Sequence, residues 1–272
     1  MASGPGGRRP LVAANWKMNH LRRDAEAWCR RVAAGLAGRD SDSGPSAEVV
    51  VFPSFPLLPA VASGLAGTAV AWGGQDLHPA DSGAHTGDVS GAQLADAGCR
   101  FVLCGHSERR HDHGEGDERV AEKIVAARRH RLTPIVCVGE TRGERRAGWT
   151  FEVLARQLGA ALAALVEPTA TGAAGEPDVV VAYEPVWAIG SGETATPETA
   201  QEAHRYLRER LAAGSTKGWN RGWGERVRIV YGGSVKPDTA AALIAQPDVD
   251  GFLVGGASLD PEQFLAIIGV CG

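Results

Sequence analysis

Three stretches of this sequence place chemically active side chains directly after apolar runs. Asn15 and Lys17 follow the first run, His106 opens the stretch GHSERR, and Glu184 ends the run VAYE just before Pro185. A carboxylate and a histidine are common proton-transfer groups, and a lysine supplies a fixed positive charge. These residue types indicate acid–base chemistry, provided that the fold brings them together.

The apolar runs are predicted to be strands. They are nearly continuous in Val, Ile, Leu and Ala, as expected for parallel strands covered on both faces. The predicted strands are 11–15, 48–53, 68–74, 100–105, 134–139, 178–184, 226–232 and 249–255, and helices such as 21–38, 116–131, 150–166 and 198–213 lie between them.

About eight strand-then-helix units in 272 residues predict an α/β fold, a single-domain (β/α)8 TIM barrel. The barrel is expected over residues 10–272, and residues 1–9 are expected to be a disordered N-terminal lead-in without the apolar core of a signal peptide. An open doubly wound sheet is the alternative, although no GxGxxG follows the first strand to favour it.

Catalytic groups of such barrels lie past the carboxyl ends of the strands, where Asn15, Lys17, His106 and Glu184 all fall. The seventh and eighth strands are followed instead by the glycine turns YGGSV and LVGGAS. Glycine turns let backbone N–H groups approach a phosphate closely, and barrel phosphate sites recur at these two positions.

Composition excludes several classes of partner. Lys and Arg number 28 against 32 Asp and Glu, so the net charge of −4 gives no basic field for nucleic acid or an acidic membrane. Prolines and glycines interrupt the most apolar region, 47–73, which excludes a membrane span there. The five cysteines form no C-x-x-C pair, which favours reduced thiols in a cytoplasmic protein.

The motifs NWKMN, SGAHTGDVS, GHSERR, CVGE, AYEPVWAIGSG, YGGSV and LVGGASL, in this order, resemble those of the triosephosphate isomerase family. The resemblance extends from about residue 11 to the C-terminus. It implies a glycolytic and gluconeogenic enzyme that interconverts dihydroxyacetone phosphate and D-glyceraldehyde 3-phosphate through an enediolate, without a cofactor or a metal.

The same resemblance implies the roles of individual residues. Glu184 corresponds to the catalytic base, and His106 to a neutral electrophile at the positive end of a short helix. Lys17 supplies positive charge, Asn15 orients it, and Glu108 belongs to the site near Lys17. The implied substrate and phosphate-binding residues are Asn15, Lys17, Gly190, Ser234, Gly255 and Gly256.

Two loops acquire a function from the resemblance. Residues 185–197 correspond to a lid whose closure excludes water. The loop from Gln75 to Asp88 corresponds to an arm that reaches into a neighbouring subunit, where Thr86 supports the partner's active site and Asp88 pairs with the partner's Arg109. A homodimer is therefore expected.

Some positions depart from the family pattern: Ser191 and Glu193 stand where threonine and lysine are common, Trp149 replaces a lysine, and 214–225 carries two extra tryptophans.

Three other functions compete with triose isomerisation. A paralogous isomerase of four-carbon ketose phosphates would keep every catalytic residue. A metal-dependent epimerase would need more His, Asp or Glu ligands at strand ends. A non-catalytic scaffold would usually lack the lysine, the histidine or the glutamate.

Overall fold

The computed structural model describes residues 7–37, 47–166, 179–189, 195–213 and 222–272. Eight parallel strands form a closed barrel in chain order, and β8 pairs back onto β1. The strands are β1 (Leu11–Asn15), β2 (Glu48–Phe52), β3 (Ala71–Gly74), β4 (Phe101–Cys104), β5 (Thr133–Val138), β6 (Val180–Tyr183), β7 (Arg228–Tyr231) and β8 (Gly251–Val254). The predicted (β/α)8 barrel is confirmed.

Helices connect these strands on the outside of the barrel. They are α1 (Arg22–Leu36), α2 (Leu58–Gly64), α3 (Gly91–Asp96), α4 (Ser107–Asp112), α5 (Asp117–Arg129), α6 (Arg142–Arg146), α7 (Thr150–Val166), α8 (Pro197–Ala212), α9 (Trp223–Arg226), α10 (Pro237–Ile244) and α11 (Pro261–Gly269). Three short 3₁₀ turns lie at Phe55–Leu57, Val186–Ala188 and Gly256–Leu259.

Alternation along each strand separates two apolar clusters, because successive side chains point to opposite faces of a sheet. Residues facing the barrel axis form the inner cluster: Leu11, Ala13, Val50, Phe52, Ala71, Phe101, Leu103, Ile135, Cys137, Val180, Ala182, Val230 and Leu253. Their neighbours, such as Val12 and Ala14, pack with the helices in the outer cluster. Both faces of every strand are therefore buried, which explains the continuous apolar runs.

An ion-pair network closes the barrel at the amino ends of β7 and β8. The buried carboxylate of Asp250 accepts hydrogen bonds from Arg8 Nε at 2.7 Å, from Arg208 Nη2 at 2.5 Å and from Ile229 N at 2.8 Å. Residues 1–6 of the expected lead-in lie outside the described residues. Arg8, two residues before the expected start of the barrel, is joined to the barrel by this ion pair.

All five cysteines are free and buried. Burial raises the pKa of Cys29 to about 11 and that of Cys271 to about 12. Burial and the neighbouring Glu184 carboxylate raise the pKa of Cys137. Cys137 packs in the inner cluster. In the part of the chain that the structure describes, no helix is long and apolar enough to span a membrane.

Gly251 is required where β8 meets β1. Its φ is +134°, and a Cβ at this position would lie 1.9 Å from the carbonyl oxygen of Leu11. Any side chain would force apart the two strands that close the barrel.

We expect Gly251→Ala to destabilise the protein by at least about 3 kcal/mol, because backbone strain and a backbone clash combine. Gly159→Ala is the matched control, since Gly159 lies inside α7 and a Cβ added there would meet no atom within 4 Å. That change should stabilise the helix by roughly 1 kcal/mol. Urea unfolding at one fixed protein concentration measures both, and equal midpoints for the two variants would contradict the assignment.

Candidate active site

Glu184 is the buried carboxylate at the end of β6, with only 2% of its surface exposed. Its Oε2 accepts a hydrogen bond from the backbone N–H of Ser107 at 2.9 Å, and its Oε1 lies 3.1 Å from His106 Nε2. A Cβ on Gly232 would lie 2.9 Å from Glu184 Cγ, so the glycine turn after β7 makes room for this side chain.

The ring of His106 caps the amino end of helix α4 through one of its two nitrogens. The ring is 6% exposed, and its Nδ1 accepts the backbone N–H of Glu108 at 3.3 Å, at the start of α4. A nitrogen that accepts a hydrogen bond through its lone pair carries no proton. This geometry leaves Nε2, which faces the Glu184 carboxylate, as the ring nitrogen in position to donate a hydrogen bond.

Lys17 lies just past β1 in a left-handed backbone conformation with φ +52°. Its backbone N–H donates to Asn15 Oδ1 at 3.0 Å, and its Nζ is 2.6 Å from Glu108 Oε1. Gln75, at the base of the expected arm, donates from Nε2 to the carbonyl oxygens of Lys17 at 2.8 Å and of Phe52 at 2.9 Å. Three elements thus hold the lysine in place.

One cavity of about 400 Å³ at the carboxyl ends of the strands brings together several of the predicted site residues, whereas Glu108 lines a second cavity beside it. Asn15, Lys17, His106 and Glu184 share it with both glycine turns. Its lining also includes Asn19, Ile189, Ser234, Val235, Lys236, Leu253, Gly255, Gly256, Ala257, Leu259 and Gln263. Asn19, Lys236 and Gln263 were not predicted; the position of Lys236 directly after YGGSV was the one available signal.

The first turn of the expected lid is tied to β5 and α6. Trp187 Nε1 donates to Glu140 Oε1 at 2.8 Å, and the Arg145 guanidinium lies 4.5 Å from the centre of the Trp187 ring. Arg142 Nη2 donates to the Trp187 carbonyl oxygen at 3.2 Å. Glu140, which is fully buried, thus holds Trp187 in place, a contact that the motif CVGE did not reveal. Gly190, Ser191 and Glu193 lie outside the described residues.

The expected arm borders a second cavity of about 270 Å³, which shares Asn15, Lys17 and His106 with the first. Residues 81–88 of the arm, including Thr86 and Asp88, are exposed. Arg109, which lines this cavity, pairs within its own chain with Glu115 at 2.6 Å and Asp76 at 3.2 Å.

A charged cluster anchors the base of the arm. Lys123, only 2% exposed, lies 2.6 Å from Asp76 Oδ1 and 2.5 Å from Glu115 Oε1. Burial raises the pKa of Asp76 although Lys123 opposes the shift. The negative charges of Asp76 and Glu115 are therefore offset by the positive charges of Lys123 and Arg109 where β3 meets α4 and α5.

Among the described residues, one group of His, Cys, Asp or Glu side chains is close enough to hold a metal: His78, His85 and Asp88, on the arm. His78 Nδ1 accepts the Ala80 N–H at 3.0 Å, and its Nε2 lies 3.9 Å from Asp88 Oδ2. The group forms a histidine–carboxylate contact on the arm.

Comparisons with known proteins agree with this geometry. A family model described as triosephosphate isomerase matches residues 10–271. The triosephosphate isomerase of Halorhodospira halophila is 51% identical over 263 residues, covering 96% of this chain and 97% of the relative. Those of Xanthobacter flavus and Moorella thermoacetica are 50% and 48% identical over 265 residues each, covering 97% and 96% of this chain and 98% of each relative.

We expect nitrogen NMR of the histidine-labelled protein at neutral pH to show an unprotonated Nδ1 and a protonated Nε2 for His106. His204 is an internal control with the opposite tautomer, because its Nδ1 lies 3.1 Å from the carbonyl oxygen of Asp248, which can only accept. Burial lowers the pKa of His204 to about 4, so its ring stays neutral at pH 7. An Nδ1 proton on His106 would contradict the assignment.

Proposed function

This chain belongs to the triosephosphate isomerase family and interconverts dihydroxyacetone phosphate and D-glyceraldehyde 3-phosphate, and we propose that Glu184 is the base and His106 the neutral electrophile of an enediolate mechanism. The observation that carries the proposal is the 3.1 Å separation of Glu184 Oε1 and His106 Nε2 within one cavity. Glu184 can accept a proton and His106 can donate a hydrogen bond to the same bound substrate.

The proposed reaction moves one proton between adjacent carbons. Glu184 removes the proton from the carbon beside the carbonyl, while the Nε2–H of His106 donates to the carbonyl oxygen as negative charge develops there. Glu184 then returns the proton to the neighbouring carbon. The hydroxyl proton passes from one oxygen to the other through His106 Nε2, which gives its proton to the former carbonyl oxygen and takes one from the hydroxyl that becomes the new carbonyl. Before these steps, the substrate must enter between His106 and Glu184. The Nε2–H then leaves the Glu184 carboxylate and donates its hydrogen bond to the substrate oxygen.

The proposed phosphate site lies at the two glycine turns that line the cavity. Asn15 and Lys17 contribute from β1, and backbone N–H groups contribute at Ser234, Gly255 and Gly256. Gly190 is assigned to this site by the family resemblance alone. Lys17 gives up part of its pairing with Glu108 when a dianion enters.

The loop 185–197 is proposed to be a lid over this site. Its described first turn, Val186–Ala188, contributes Trp187 to the Glu140 cluster, and Ile189 lines the cavity. Closure of a partly apolar loop would exclude water and strengthen the electrostatic interactions around the enediolate.

We also propose a homodimer in which the arm enters the second cavity of a neighbouring subunit. An exposed loop beside an open cavity that reaches Asn15 and His106 supports this arrangement. The partner's Thr86 would then contact the catalytic edge, and Asp88 would pair with the partner's Arg109 in addition to its pairs within the chain. The five buried, free thiols favour a cytoplasmic location.

We expect Glu184→Gln to lower kcat by roughly a thousandfold or more, because an amide cannot accept the proton. Affinity for inorganic phosphate should be retained, since phosphate does not need the base. Glu202→Gln, an exposed change on α8, is the control for lost negative charge. Near-normal turnover by Glu184→Gln in an assay with triose phosphates would show that another group is the base.

We expect Thr86→Arg to give a monomer of low activity, because a bulky charge cannot enter the cavity that receives the arm. Ala241→Arg, exposed on α10 away from the arm, controls for the added arginine and should stay dimeric. Sedimentation and turnover measured on the same samples decide the matter. A fully active monomer, wild-type or variant, would mean that the arm has no catalytic role.

A further inference from the structure

We propose that Lys236 is a second cation for the phosphate group of the substrate: it attracts the dianion to the cavity and raises affinity without taking part in proton transfer. The inference rests on the proposed function for the identity of the substrate, but its ligand chemistry, a phosphate monoester dianion, can be tested without turnover. Three observations support it: position, charge and backbone anchoring.

Lys236 lies on the phosphate side of the active-site cavity. Every residue from Gly232 to Lys236 lines that cavity, so the lysine continues the glycine turn in which Ser234 lies. Lys17 lines the same cavity beside the other glycine turn, because a Cβ added to Gly255 would lie 3.6 Å from Lys17 Cε. A ligand whose phosphate meets the two glycine turns therefore lies near two lysines, Lys17 beside the turn after β8 and Lys236 at the end of the turn after β7.

The other charges at this cavity leave Lys236 as the group that attracts a dianion. Lys17 Nζ is 2.6 Å from Glu108 Oε1, which offsets much of its field, and Glu184 adds a negative charge that repels a dianion. Within the described ranges, Lys236 has no ion-pair partner, and its side chain is exposed. It thus contributes an uncompensated positive charge at the entrance, in a chain whose net charge is −4.

The backbone of Lys236 is fixed although its side chain is free. Its N–H donates to Thr239 Oγ1 at 3.1 Å, and it is the residue before Pro237, at the amino end of α10. The side chain therefore starts from a defined point on the cavity wall. A mobile ammonium group on an anchored stem can follow an incoming phosphate while remaining hydrated, which suits attraction through solvent better than direct ligation.

Such an interaction has a recognisable kinetic signature. Attraction between solvated charges acts on encounter and binding, so it changes KM and leaves kcat unaltered. Salt must abolish it, because the Debye length falls from about 30 Å at 0.01 M ionic strength to about 3 Å at 1 M. A structural defect would instead lower kcat and would not depend on salt.

The test compares wild type, Lys236→Gln, Lys236→Arg and Arg30→Gln, the last removing an exposed charge on α1 outside the cavity lining. At constant pH, kcat/KM for glyceraldehyde 3-phosphate is measured from about 0.01 to 1 M ionic strength. For Lys236→Gln we expect a loss of roughly threefold to tenfold at low salt that disappears at high salt. Lys236→Arg should restore wild-type behaviour, and Arg30→Gln should match wild type throughout.

Two further measurements separate this role from the proposed function. D-Glyceraldehyde, which has the reacting carbons but no phosphate, should be turned over equally by wild type and Lys236→Gln. Calorimetry with inorganic phosphate should show weaker binding to Lys236→Gln by a similar factor, independent of any catalysis. A wild-type protein that fails to isomerise triose phosphates would sink the proposed function and leave this comparison intact. Equal phosphate affinity in Lys236→Gln and Arg30→Gln, or an equal loss with D-glyceraldehyde, would overturn the role of Lys236.

Discussion

The whole site depends on keeping the Glu184 carboxylate out of water without pairing it with a fixed cation. In the described chain this buried group takes its hydrogen bonds from the Ser107 N–H and from His106 Nε2. A buried arginine or lysine partner would stabilise the anion so strongly that it would be a poor base. Two donors from the start of α4 contact it instead, and in the proposed mechanism the substrate takes the place of one of them, so the barrel must hold α4 at a fixed distance from the end of β6.

Helix α4 serves both halves of the proposed chemistry through one residue. The backbone N–H of Glu108 fixes the tautomer of His106, and its carboxylate pairs with Lys17. Gln75 then connects Lys17 to the base of the arm, where Lys123 and Arg109 balance Asp76 and Glu115. Because these contacts share residues, loss of one is expected to affect catalysis and arm geometry together, and their energies should not be additive.

The two sides of the cavity have different physical designs. The catalytic side is buried and rigid: proton transfer requires groups held within a fraction of an ångström. The proposed phosphate side consists of glycine turns and the exposed Lys236, where backbone dipoles and a solvated charge would meet a dianion. Between them Trp187, held by Glu140, Arg142 and Arg145, connects the described turn of the lid to β5 and α6.

The sequence by itself determined the barrel and the polar residues that follow its strands. Strands buried on both faces are continuous apolar runs, so all eight strands were located to within three residues, and the polar groups at their ends identified Asn15, Lys17, His106 and Glu184. Only the tertiary structure decided which atoms meet. Several contacts are made or completed only when the barrel closes: the bond from the Glu108 N–H to His106 Nδ1, the anchoring of Arg8 by Asp250, the contact of Glu140 with Trp187 and the position of Lys236 in the cavity lining. Local sequence encodes the element to which a side chain belongs, whereas its partner is selected by strand register and helix packing between residues far apart in the chain.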